Sequence, residues 1–571
     1  MRARLKILII FVLAFLLFFS LGIYTLLHTS TIISEPIYVM SGYYYLAYGE
    51  TFNTGHPLLT NIIAAAPLLF LEIDTPDPTE IEHPYEFARN DWLYYGDNDL
   101  DTILFWSRIP FLFLSFFFAY YVFRWVRELY GLLSATFALM LYIFNPDVLW
   151  LSTVVMTDLS VAGFMFVSCY YLWKYLKTEK NLPFFLWGVF FGLALASKST
   201  ALFVIPIYFA LYFLHKGFSI KIFIRDFFFL GCVALLIFSL VNIRDIHPIY
   251  DSSNPFYAQS SEFRTDERLY ELTEEFTDNT YLQKTFAFVL KDVPVPGASS
   301  LAAYAAQFRH SVSGHSQYFM GEYSSHGVWY YYFFEYLVKT PLPFLLILLF
   351  SIFFFMKVKA KEWKDELSLL LPIFIFFFIT SFLMKLNLGL RHMLFVHFFL
   401  FIFAAKVFQF KKFNQRIFPY LFSLLLLLYI LFSVLFAPSY IAYFNGIISP
   451  EEAPLYVIDD SLDLGQDLVN LQFYLKKNNI TQIKLRYAGF EHPEYRNITY
   501  EKLGCEPTTG ILAVSVNSLY GGRFWYEDIQ EIDMECYAWL RTYEPLARIG
   551  YSIYVYNITE EKLSLIEKED Q

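Results

Sequence analysis

Cysteine is nearly absent, with four residues in 571. Two of them, Cys169 and Cys232, lie in apolar runs and read as packing residues; no cysteine spacing fits a metal site. Charge is scarce as well: 17% of residues carry one, and the formal net charge of −11 argues against a nucleic-acid partner. No Gly-rich phosphate loop or Rossmann fingerprint opens any helix, so nucleotide binding is not expected.

What fills the chain instead is apolar. Hydrophobic residues make up 57% and aromatic residues 21%, and the mean hydropathy is +0.43. That places the chain among polytopic, mostly α-helical membrane proteins. Runs able to cross roughly 30 Å of hydrocarbon recur near 7–27, 103–123, 131–149, 150–173, 183–197, 199–214, 226–242, 342–356, 367–384, 392–409 and 417–437, about eleven spans. The first follows the basic start Arg2, Arg4 and Lys6 and reads as a retained helix rather than a cleaved signal.

Basic residues gather in alternate short connections: Arg124 and Arg127; Lys174, Lys177 and Lys180; Lys216, Lys221 and Arg225; Lys357, Lys359, Lys361 and Lys364; Lys411, Lys412 and Arg416. These are expected to be cytoplasmic, with the N-terminus. The other side then carries loops 28–102 and 243–340 and a tail from 438. Loop 28–102 holds twelve acids against the lone Arg89. The expected division is a membrane domain over 1–437 and an extracytoplasmic unit over 438–571.

In that tail, 483–487, 511–516 and 551–556 read as strands and 467–477 as a helix, together a small α/β unit. No Ser-His-Asp constellation is legible there. Cys505 and Cys536 would be free to pair in an oxidising compartment, and the sequons at Asn479, Asn497 and Asn557 fit exposure.

The charges that break the orientation pattern carry the chemistry. Glu35 follows the first span directly. Arg108, Asp158 and Lys198 sit near span ends, as do Lys385, Arg391 and His392, all on the side poor in short-loop cations. Ionised groups near hydrocarbon are costly unless they pair or line a wet cavity. Cations gathered there suit an anion at headgroup depth, the phosphate of a lipid. Simpler roles stand beside this: Glu35 as a solvated helix-end acid, snorkelling for Arg108 and Lys198, neutralisation by Asp158, capping by Arg391-His392, and a turn at His56-Pro57.

Several stretches occur in order over most of the chain: Glu35, Gly42-Tyr43, Tyr45-Leu46, Gly49-Glu50 and His56-Pro57-Leu58; Thr157-Asp158; Gly192 to Lys198; Tyr318 to Gly321; Lys339 to Pro343; Gly389 to His392; Tyr443 to Asn445; and Asp460 to Asp467. Together they resemble the protein O-mannosyltransferase superfamily of integral-membrane glycosyltransferases, the GT-C fold, which also holds the aminoarabinose transferase of lipid A.

The resemblance implies a polyprenyl- or dolichyl-phosphate sugar as donor. It also implies an acceptor hydroxyl on a protein Ser/Thr, a glycan or a lipid, transfer at the outer face, and inversion. Glu35 matches the acid expected to act as base, and Asp158 is expected as a second catalytic residue that orients the acceptor or one of the cations. Arg108, Lys198, Lys385, Arg391 and His392 are the candidates to neutralise the departing phosphate. His56, Tyr43, His315, Glu322 and Lys339 are candidates for sugar or acceptor contact. Histidines and carboxylates of the two long loops leave a divalent ion open, although no spacing names one.

The chain departs from the pattern in four places. Ser34 stands where the family often has a second acid, Leu58 follows His56-Pro57 in place of a second proline, Leu464 replaces a tryptophan, and the proline after Arg391-His392 is missing. A transporter or an inactive scaffold with an interaction tail is the alternative, but the internal repeats and broken midplane helices common in permeases are not evident.

Overall fold

The computed structural model describes residues 2–569 except 53, 218, 252–279, 315, 316, 325, 354–361, 410–416 and 522–535. Among them, seven helices are long and apolar enough to cross a membrane, or eight if the pair Tyr331–Lys339 and Leu342–Phe353, bent by 114°, is one span. The protein is an integral membrane protein. Arg2–Leu27 illustrates the solvent it is built for: Leu5, Leu8, Leu13 and Leu16 are more than half exposed, while Ala14 and Phe18 are sealed against the bundle. Such a bare leucine face suits lipid and would be a liability in water.

The expectation of about eleven spans exceeds this count for a packing reason. Leu132–Ile143 and Asn181–Leu195 are short, at 12 and 15 residues. At 1.5 Å per residue each falls well below the bilayer core. Thr157–Thr178 has the length, at 22 residues, but carries Asp158, Lys174, Lys177 and three tyrosines. It is wrapped by other helices, so protein side chains rather than lipid select its residues. Phe166 of this helix stacks on Phe398 with ring centroids 4.7 Å apart, and the span that bears Phe398, Leu390–Phe408, is the most enclosed of the seven candidate spans.

The chain runs up and down, so the ends of successive helices alternate between two faces. One face collects the tight turns at Gly131, Glu179 and Gly217 and the ion pairs of Lys177 with Asp365 at 2.8 Å and Lys406 with Glu366 at 3.2 Å. The opposite, loop-bearing face collects the long connections. There the buried helix Glu35–Ala47 lies against Leu59–Ala65 with no room between them: a Cβ at Gly42 would come within 2.0 Å of the Asn61 carbonyl oxygen. The Leu59 amide then donates to the Ala196 carbonyl at 2.9 Å, which ties the first loop to the turn that carries Lys198.

The tail forms a five-stranded mixed sheet in the order Tyr500–Lys502, Ile483–Arg486, Gly510–Ser515, Ile553–Ile558, Ala547–Ile549. The first three strands are parallel and the last two pairings antiparallel. Leu468, Leu471 and Leu475 of helix Leu468–Lys477 cover Ile483, Leu485 and Val555. The three strands and the helix read from the pattern are all present; the two short edge strands are added. Cys505 and Cys536 form a disulfide, with Cα atoms 4.7 Å apart.

The tail is stitched to the membrane part by backbone bonds. The Ser30 amide donates to the Gln466 carbonyl at 2.8 Å and the Ile33 amide to the Leu464 carbonyl at 3.2 Å. Two buried acids hold that stitch. Asp463 accepts from the Gly465 amide at 2.9 Å, and Asp467 accepts from Ser552 at 2.7 Å and Asn470 at 2.7 Å. Gly550, at φ +56°, is pressed against Asp467 where a Cβ would have no space.

Burial pushes the Asp463 carboxyl up to about 7 and the Asp467 carboxyl up to about 6. The folded state therefore keeps protons that the unfolded chain gives up near pH 4, and stability falls as pH rises through that window. A tenfold change in proton affinity is worth about 1.4 kcal/mol, so the loss between pH 5 and pH 8 should be on the order of 2–4 kcal/mol. Thermal unfolding of the full chain in detergent should drop in temperature over that range, and Asp463→Asn should flatten the drop.

Candidate active site

Glu35 opens its helix with Pro36 behind it, so its side chain is aimed back at the preceding turn. It is fully buried there. Its carboxylate accepts from the Ile32 amide at 3.0 Å and the Val155 amide at 2.9 Å, and from Arg108 Nε at 2.8 Å and Nη2 at 2.5 Å. Arg108 spends its remaining donors on the carbonyls of Leu26, Thr29 and Ser30, at 3.3, 2.7 and 2.8 Å. A guanidinium has five N–H groups and a carboxylate about four acceptor sites, so both are used up.

Neither group fronts the cavity described below. In this arrangement Glu35 has no lone pair left facing the cavity, and Arg108 has no N–H left for a phosphate. Together they lock Leu100–Tyr130 to the end of the first span and the first-loop helix.

A second ionic knot brings Asp158, Lys198 and Arg391 together. Asp158 Oδ1 accepts from Lys198 Nζ at 2.8 Å and Oδ2 from Arg391 Nη1 at 3.1 Å, while Arg391 Nη2 donates to Asp460 at 2.7 Å. Each residue stands at a helix end on the loop-bearing face. Arg391 is presented by a loop in which Asn387 accepts from Gln317 at 2.8 Å and the Val328 amide at 2.6 Å. Gly389 turns that loop at φ +77° and donates its amide to the Tyr331 hydroxyl at 3.2 Å.

Beside this knot lies a cavity of about 650 Å³. Lys198, Arg391, His56, His392 and Ser34 contribute polar groups to it; Leu202, Phe203, Phe308, Phe376, Leu383 and Leu386 form an apolar wall. Tyr38, Tyr304, Tyr332 and His310 also line it. Among the described lining residues there is no carboxylate. His56 Nδ1 and His392 Nε2 are buried with no hydrogen-bond partner. Burial, reinforced by the nearby Lys198 charge, holds the His56 imidazole down to about 3, so it is neutral at ordinary pH.

The other expected site residues lie elsewhere. Tyr43 is buried against Trp92, with ring centroids 5.9 Å apart. Lys339 is buried, does not line the cavity, and donates to the carbonyls of Ile441 at 2.8 Å and Ser461 at 2.6 Å, which fastens the tail. Glu322 is an exposed hairpin residue. Lys385 is exposed and does not line the cavity, although its neighbours Met384 and Leu386 do, and His315 is outside the described residues. No three His, Cys, Asp or Glu side chains among the described residues group as metal ligands would.

Asp460 belongs to the tail pattern, yet nothing in the sequence pairs it with Arg391, from which 69 residues separate it. The lining groups Tyr304, Gln307 and His310 come from the helix Ala298–Ser313, whose alanine-rich sequence gives little sign of a site.

Removing one partner of a buried pair strands the other charge at a cost of about 3–5 kcal/mol. Arg108→Met should therefore lower the unfolding temperature of the purified protein sharply, and Glu35→Gln in the same chain should recover part of the loss. A double-mutant cycle by thermal unfolding in detergent measures the coupling.

No curated protein matches the sequence. Among solved structures, the chain is similar to the Archaeoglobus fulgidus oligosaccharyltransferase in its apo form, with 12% identity and a TM-score of 0.41 over 75% of this chain and 54% of that one. For the Archaeoglobus fulgidus AglB in complex with an inhibitory peptide and a dolichol-phosphate, the values are 11%, 0.40, 82% and 58%. For ArnT from Cupriavidus metallidurans bound to undecaprenyl phosphate they are 9%, 0.29, 96% and 97%. The chain thus spans little more than half the length of the archaeal enzyme. Residues 102–243, the stretch that supplies Arg108, Asp158 and Lys198, match the family model described as dolichyl-phosphate-mannose-protein mannosyltransferase, in line with the superfamily resemblance of the motifs.

Proposed function

We propose that this protein is a membrane glycosyltransferase that moves a sugar from a polyprenyl- or dolichyl-phosphate carrier to an acceptor hydroxyl. The observation that carries this reading is the cavity in which Lys198 and two unpaired histidines meet a wall of leucine and phenylalanine. One ligand type fits both sides, a phosphate head on an isoprenoid tail.

The available donors refine how that head is held. Lys198 has one described partner, Asp158, and an ammonium has three N–H groups, which leaves two for a phosphate oxygen. Arg391 is already tied to Asp158, Asp460 and the Leu388 carbonyl, so it holds the knot and lends charge. A preplaced cation that meets negative charge as it develops on the leaving phosphate is the main form of catalysis such a site offers. The match of residues 102–243 to the mannosyltransferase family model supports the same reaction class.

In this reading the Lys/Arg-rich turns are cytoplasmic, the cavity opens on the outer face, and the tail is extracytoplasmic. Transfer proceeds by single displacement with inversion at the anomeric carbon. The acceptor is a protein hydroxyl, a glycan or a lipid.

The purified protein in nanodiscs should bind undecaprenyl phosphate, but not undecaprenol, in native mass spectrometry. Lys198→Ala should weaken that binding at least tenfold. Equal retention of the alcohol and the phosphate would end this reading. A transfer assay with radiolabelled polyprenyl-phosphate mannose and membrane acceptors then tests the sugar.

A further inference from the structure

With Glu35 consumed by Arg108 and no carboxylate among the described lining residues, the proposed reaction lacks an evident proton acceptor. Three histidines line the cavity: His56, His310 and His392. His392 belongs to the span Leu390–Phe408. His56 belongs to the connection between Glu35–Ala47 and Leu59–Ala65, outside any span. Its Nδ1 has no partner, and no side chain among the described residues bonds to its ring.

Resting on the glycosyltransferase reading above, we infer that His56 is the general base that takes the proton of the acceptor hydroxyl. As the acceptor oxygen bonds to the anomeric carbon, the bond from that carbon to the carrier phosphate oxygen breaks, and its electron pair stays on the phosphate beside Lys198. The hydroxyl proton passes to the free imidazole nitrogen of His56, and from the imidazolium it returns to the departing phosphate or to water. The products are the glycosylated acceptor and the carrier phosphate.

The surroundings link this base to the donor. The groups near enough to act on the His56 charge are Lys198 and Asp158 of the knot, Arg391 from the loop before the enclosed span, and His310 from Ala298–Ser313; His392 is close enough to feel it in turn. Tyr38 faces the ring at 5.9 Å between centroids. Burial and the cations hold the imidazole neutral and weakly basic in the empty site. A phosphate seated on Lys198 offsets those cations, so donor binding raises the basicity of His56 at the moment it is needed.

Two measurements on the full chain in nanodiscs decide the matter. Diethylpyrocarbonate at pH 5.5 should carbethoxylate His56, because its imidazole is neutral where ordinary histidines are protonated, and undecaprenyl phosphate should block the reaction. In transfer from radiolabelled polyprenyl-phosphate mannose at saturating carrier, His56→Asn should lower kcat at least 100-fold. Ser34→Asp, which puts a carboxylate on the same cavity wall, should restore at least tenfold of the loss. Transfer within threefold of the unaltered protein in His56→Asn, loss of transfer in His392→Asn alone, or an inert His56 toward the reagent would overturn the assignment alone. Failure of the unaltered protein to bind the carrier through its phosphate would overturn the reading of the site and this assignment with it.

Discussion

The site is organised by one carboxylate, Asp158, held between Lys198 and Arg391 where the protein excludes water. Two cations that close in a poor dielectric repel strongly, and ionised groups near hydrocarbon persist only when paired. Asp158 gives each cation its own oxygen, and Asp460 adds a second negative charge at Arg391. The knot is thus neutral as a set, two positive against two negative. An incoming anion gains little from net charge; it gains from N–H groups that point into the cavity without a partner. This leaves the ammonium of Lys198 and one remaining Nη2 N–H of Arg391 as the ligand-facing part of the knot, and makes the bare imidazoles beside them significant.

The Glu35–Arg108 pair plays the complementary part. It closes every donor and acceptor it owns, and so it brings order without reactivity. Two ionic clusters within one face of the bundle thereby divide the work, one sealed to fix helix positions and one left with open valences beside a cavity. In the sealed pair each group is desolvated, and the geometry that satisfies them is what keeps the first-loop helix, and with it Ser34 and Tyr38, at the cavity wall.

Much of the architecture is legible in the sequence. Long leucine and phenylalanine runs mark the lipid-facing helices, and alternation marks the strands Ile483–Arg486, Gly510–Ser515 and Ile553–Ile558. Helices surrounded by protein are harder to judge, because Leu132–Ile143 and Asn181–Leu195 run between the two faces with only 12 and 15 residues. Asp158, Lys198, Arg391, His392 and His56 stand out as stranded polar groups, and they do converge. What the linear pattern does not convey is which of the stranded charges are already satisfied. Arg108 and Lys198 look alike in sequence; only the carbonyls of Leu26, Thr29 and Ser30, 78 to 82 residues away, distinguish a filled guanidinium from an ammonium with donors to spare.

The stitching of the tail into this face bears on how the protein comes into being. Asp460 grips Arg391, Lys339 grips the carbonyls of Ile441 and Ser461, and Gln466 receives the Ser30 amide. These partners are synthesised last, after every described membrane span. Until they arrive, Arg391 has one carboxylate where the finished protein gives it two, and the loop end of the first span has unfilled hydrogen bonds. The knot beside the cavity therefore reaches its final charge balance only when the tail brings Asp460 to Arg391.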